Sequence, residues 1–160
     1  MIRLPKVRQK PGLCGPAALK ILLSYYGKRL PLRKLVHLCK TDPKIGTYHA
    51  DMARLCRKLG FKTIAKDRGT LQIVRNYLEN KTPVLVGWFA FSGDHFSVIS
   101  NVTKKYVYMR DTERKLKYGK RKIPIQRFME LWFDFDDKRD PNKKTNRWYM
   151  VINPKQKSKP

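Results

Sequence analysis

From residue 16 to 26 the chain is apolar at Ala17, Ala18, Leu19, Ile21, Leu22, Leu23, Tyr25 and Tyr26, and polar only at Lys20 and Ser24. Those two lie four apart, so on a helix they form one narrow wet stripe, and the rest of the surface must be covered by other parts of the protein. Pro16 suits the first turn and Gly27 the stop, and the pattern predicts a buried central helix. Helical spacing returns at 31–40, at 47–59 with Gly60 as terminator, and at 70–79. The period then changes. Segments 83–90 (PVLVGWFA), 95–102 (HFSVISNV) and 106–111 (YVYMRD) are rich in β-branched and aromatic residues, as strands are. A short helix over 124–132 and a last strand over 147–153 complete the pattern. Helices followed by strands is an α+β order. No internal repeat interrupts it, and we expect one domain over residues 1–153 followed by a basic tail, 154–160.

Composition supports a packed core. A chain of 160 residues that is 41 % hydrophobic can bury roughly two-thirds of its unfolded surface without a disulfide or metal. Arg3, Lys6, Arg8 and Lys10 interrupt the N-terminal segment, so neither a signal peptide nor a spanning helix is expected there, and a cytoplasmic location is the expectation. Cys14, Cys39 and Cys56 are odd in number and lack CxxC spacing, which argues against a disulfide framework and a structural zinc site. We expect free thiols, no metal and no cofactor.

A formal charge of +25 changes the picture, because such a field attracts nucleic acid, anionic lipid or acidic protein. The densest stretch, RKLKYGKRK at 114–122, offers Lys115, Lys117, Lys120, Arg121 and Lys122 as a polyanion contact, with Tyr118 able to stack on a base. The same run also reads as a solvated hairpin.

The sharper chemical signal is Cys14. It precedes the buried helix, where backbone N–H groups and the positive end of the helix dipole favour a thiolate nucleophile. Its own N–H, together with the Gln9 side chain upstream, could hold an oxyanion, and Gly15 would let a substrate backbone approach. The thiol needs an imidazole. His37 and His49 fall within helical patterns, whereas His95 opens a strand after the Ser92-Gly93-Asp94 turn, with Gly93 and Asp94 as further substrate-cleft candidates. Asp111, closing the next strand, is the carboxylate expected to orient His95, in competition with the adjacent Asp94. Strand parity sets a condition. A two-residue loop at Lys104 and Lys105 would put His95 and Asp111 on opposite faces, so the pair requires a three-residue loop or a bulge.

Gln9, the run LCGPAALKILLSYYG, the Gly46–Gly60 segment, DHFSVI and the later Asp111 resemble the C39-type cysteine peptidases of the papain-like superfamily, from about Gln9 to Trp132. Gln9 stands one residue closer to the cysteine than is usual in that family, and Asp111 is followed by Thr112 where proline is frequent. The resemblance implies a papain-like α+β fold, an N-terminal helical part packed on an antiparallel sheet with the site in the cleft between. It also implies roles: Cys14 as nucleophile, His95 as base, Asp111 as its orienting partner, and Gln9 in the oxyanion hole. The implied reaction is hydrolysis of a peptide or protein through a thioester. Two other readings stay open: a nucleic-acid or polyanion-binding module on a silent peptidase scaffold, and a cysteine-dependent amide transferase.

Overall fold

The apolar runs become the inner strands of one sheet. The computed structural model describes residues 1–8, 12–90 and 93–154. In chain order the elements are α1 (Cys14–Tyr25), α2 (Leu32–Leu38), α3 (His49–Lys58), β1 (Thr63–Lys66), α4 (Leu71–Glu79), β2 (Val84–Ala90), β3 (Gly93–Val102) and β4 (Tyr106–Arg110). A 3-10 turn at Lys117–Gly119 leads into β5 (Lys120–Pro124), α5 (Ile125–Leu131), β6 (Phe133–Phe135), β7 (Lys144–Asn146) and β8 (Tyr149–Ile152). Six strands form an antiparallel sheet in the order β1-β8-β2-β3-β4-β5, and β6 pairs with β7 separately.

Strands β2 and β8 are apolar without alternation because both faces of the sheet are covered. On one side Leu85, Phe96, Val98, Met150 and Ile152 pack against Leu19, Leu22 and Leu23 of α1 and Met52 and Cys56 of α3. On the other, Val84, Val86, Trp88, Ile99, Val107, Met109 and Val151 meet Val74 of α4 and Phe128 of α5. Trp88, Trp132 and Phe128 are among the largest fully buried side chains, each worth about 1.5–3 kcal/mol in transfer free energy. The expected α+β architecture is the observed one.

Helix α1 starts two residues before Pro16, at Cys14. The first N–H groups of a helix have no carbonyl four residues back, so proline at the third position forfeits nothing. The earliest such bond runs from Ala17 N–H to Leu13 O at 3.1 Å. Four strands escape the sequence pattern: β1, β5, β6 and β7. They are only three to five residues long, too short to show a period, and β1 and β5 lie at the sheet edges, paired with β8 and β4. The basic run is therefore only partly the free hairpin considered above, since Lys120, Arg121 and Lys122 pair with β4.

The β3–β4 connection meets the parity condition by a bulge. Lys104 and Lys105 do form the two-residue loop, closed by Thr103 N–H on Tyr106 O at 2.9 Å, with Val102 opposite Val107 and Asn101 opposite Tyr108. The register then shifts, so that Ile99 lies opposite Met109 and Ser100 is the extra residue. Continued one step past Val98 and Arg110, this register sets Ser97 across from Asp111, with His95 two residues further on the same face.

Candidate active site

Cys14 is the first residue of α1, half-buried, and its thiol shares a hydrogen bond with the His95 ring. His95 Nε2 lies 2.7 Å from Asp111 Oδ1. With Nε2 held there, Nδ1 is the ring nitrogen left for sulfur. Burial alone would push the imidazole pKa down, but the hydrogen bonds to Asp111 and Cys14, with the charge of Asp111, raise it from 6.5 to about 9.

Asp111 is fully buried and, among the described residues, accepts four hydrogen bonds. Oδ1 takes His95 Nε2 and, at 2.9 Å, the Glu113 N–H. Oδ2 takes the Ser97 hydroxyl at 2.8 Å and Arg121 Nε at 2.9 Å. Burial opposes its charge, yet the hydrogen bond and charge of His95, the Arg121 guanidinium and the Glu113 N–H together hold the carboxyl well below the usual carboxylate range. Each partner is itself fixed. Trp88 Nε1–H donates to Ser97 Oγ at 3.0 Å, and the Arg121 guanidinium lies over the Trp88 ring while its Nη2 reaches Glu113 Oε2 at 2.5 Å. A carboxylate with all its acceptor directions used cannot swing, so His95 is held in one tautomer and one orientation.

Asp94, the competing carboxylate, accepts the Phe135 N–H at 3.3 Å, and the carboxylate hydrogen-bonded to His95 is Asp111. It lines a cleft of about 440 Å³ bordered by Cys14, Thr47, His49, Phe96 and residues 134–138. Gly93, at φ +123°, makes the turn into β3. Gly15 is buried, and a Cβ there would meet Thr47 Oγ1 at 2.6 Å. The missing side chain thus lets Thr47 pack against the Gly15 backbone at the start of α1. Gln9 lies outside the described residues.

The other thiols differ from Cys14. Burial pushes both Cys39 and Cys56 up to about 12, with a further contribution at Cys39 from Asp51 and at Cys56 from Cys39. Arg121 also departs from the sequence reading. Its side chain is 9 % exposed and spent on Asp111 and Glu113, so it is withdrawn from the polyanion contact proposed for the basic run. Lys115, Lys117, Lys120 and Lys122 remain exposed, with Lys122 over the Tyr106 ring at 4.1 Å. Sequence reasoning missed Ser97 as a partner of Asp111, although its position two residues after His95 on a strand was the available signal. Arg121 had none, because β5 carries no strand pattern.

The sequence profile of the peptidase C39 family matches residues 6–135. Among curated proteins none matches closely enough to count as a relative. A double glycine motif protease from an AMS/PCAT transporter, solved in complex with the leader peptide, aligns over 96 % of this chain and 94 % of its own at 22 % identity and a TM-score of 0.67. The peptidase domain of Streptococcus ComA, a bi-functional ABC transporter, aligns over 97 % and 100 % at 19 % identity and a TM-score of 0.73. At such identities the likeness is one of fold.

Proposed function

We propose that this chain, which belongs to the peptidase C39 family, hydrolyses internal peptide bonds with Cys14, His95 and Asp111 as its catalytic triad. The observation that carries the reading is an imidazole hydrogen-bonded at 2.7 Å to a saturated buried carboxylate, with the Cys14 thiol among the groups that raise its pKa.

The Cys14 sulfur attacks the substrate carbonyl while His95 carries the thiol proton. The oxyanion is met by the Cys14 N–H at the start of α1, with Gln9 as the second donor. His95 gives its proton to the departing amine as the C–N bond breaks and a thioester forms. Water, deprotonated by His95, then attacks the thioester, releasing the acid and restoring the thiol. Asp111 stays ionised throughout and stabilises the imidazolium. A peptide substrate accords with the leader peptide bound by the structurally similar transporter protease.

Cleavage of a peptide library in ¹⁸O-labelled water tests the reaction. Hydrolysis places one labelled oxygen in each new carboxyl end, and Cys14→Ala should yield no product. Products that join the acyl group to an added amine, without labelled acid, would instead identify an amide transferase. Exposed lysines of the basic run supply no comparable geometry for a polyanion reading, since among the described residues Arg121 is the member bound to the triad.

A further inference from the structure

Asp and Glu number 12 in this chain against 37 Lys and Arg. Four of the twelve, Asp94, Asp134, Asp136 and Asp137, line the cleft that Cys14 borders. A third of the chain's acidic residues thus gather at this cleft, beside Lys138 and His49. The two sides are joined by the hydrogen bond from Phe135 N–H to Asp94, which brings the start of β3 beside β6.

The carboxylates there are only partly answered by the protein. His49 faces Asp134 through Nε2 at 2.6 Å and Asp136 through Nδ1 at 3.3 Å. Asp134 is 3 % exposed, and among the described residues its buried Oδ1 has no hydrogen-bond partner. Lys138 also lines the cleft, but its ammonium sits over the Tyr48 ring at 4.4 Å. Lys143 reaches Asp137 only at 3.9 Å and from an exposed position. Partial burial and the charge of Asp134 push Asp94 up to about 6, outweighing the Phe135 N–H and the charge of His49, which lower it.

A metal ion is a poor match. Among the described residues no three His, Cys, Asp or Glu side chains converge on a point that could hold one. The acids are instead strung along a wall that also presents Ile45, Phe96 and Phe135. An ammonium or guanidinium on a long methylene stem suits such a wall, its charge toward the acids and its stem against the apolar surface. We infer that the Cys14 cleft takes a lysine or arginine side chain of the peptide it acts on. This rests on the peptidase reading, and it adds the class of side chain that places the scissile bond.

Binding separates the two claims, because it needs no chemistry. The Cys14→Ala protein would be titrated, by fluorescence anisotropy at 150 mM salt, with acetylated and amidated peptides that differ only in a scanned Lys, Arg, norleucine or Glu. At the position that enters the cleft, Lys and Arg peptides are expected to bind at least tenfold more tightly than norleucine or Glu peptides, against the repulsion of a +25 chain. Asp94→Asn, at an exposed position and so compatible with folding by circular dichroism, and Asp136→Asn should each reduce that preference to below threefold. In the wild-type protein the same preference should appear in KM rather than kcat. Equal or tighter binding of norleucine peptides, a cationic preference that survives both substitutions, or no peptide binding at all would overturn the inference. A preference found in a protein whose Cys14 cleaves nothing would uphold the cleft and refute the peptidase reading.

Discussion

His95→Ala is expected to lower kcat/KM for peptide cleavage as severely as Cys14→Ala, by about a thousandfold or more, and the double variant should be no worse than either alone. Residues that act as one unit lose nearly everything when any member is removed. The geometry gives the reason. Among the described residues His95 joins the thiol to the buried carboxylate, so without it the sulfur loses its proton acceptor and its link to Asp111. Steady-state kinetics on one cleaved peptide decides the matter, with circular dichroism to verify folding. A His95→Ala enzyme within tenfold of wild type would remove His95 from the chemistry.

Arg121→Met should be the most damaging change outside the triad. It leaves Asp111, fully buried, and the neighbouring Glu113 without their guanidinium, and breaking a buried charge pair from one side costs about 3–5 kcal/mol. Urea unfolding should show that loss. Because Oδ2 of Asp111 then keeps, among the described residues, the Ser97 hydroxyl alone, the carboxylate gains freedom to rotate, and kcat should fall roughly tenfold while KM changes little. Arg121→Lys keeps the charge but loses the planar fork, and should recover part of both effects. Unchanged stability and unchanged kcat in Arg121→Met would show that Asp111 is held without it.

Legibility in the sequence followed how much each residue's neighbours in the chain determine its place. Helix α1 and strands β2 and β8 were readable because burial on most sides demands nearly continuous apolar runs, β3 because it is rich in β-branched and aromatic residues, and Cys14 could be placed at a helix start from Pro16 and Gly27 alone. The parity argument went further. It required an odd loop or a bulge between His95 and Asp111, and the bulge stands at Ser100. What stayed hidden depends on distant pairing. Strand β5 has no hydrophobic alternation beyond Ile123, so Arg121 read as one more cation of a basic run rather than as the partner of Asp111. Asp134 and Asp136 lie some forty residues beyond Asp94, and only the fold brings them to the same cleft. Likewise the packing of Thr47, on the approach to α3, against Gly15 depends on a residue more than thirty positions away.

The central claim is that Cys14 is the activated thiol of this protein. The folded chain should be exposed at neutral pH to a limiting amount of a peptide carrying a thiol-directed electrophile, and the modified residue identified by peptide mass spectrometry. Cys39 and Cys56 are shut in the core with thiols pushed up to about 12, whereas Cys14 stands half-buried beside His95. The account predicts label on Cys14 at least a hundredfold over either of the others, and a large loss of that label in His95→Ala. Equal labelling of the three cysteines in the folded protein, or labelling of Cys14 that is indifferent to His95, would contradict it.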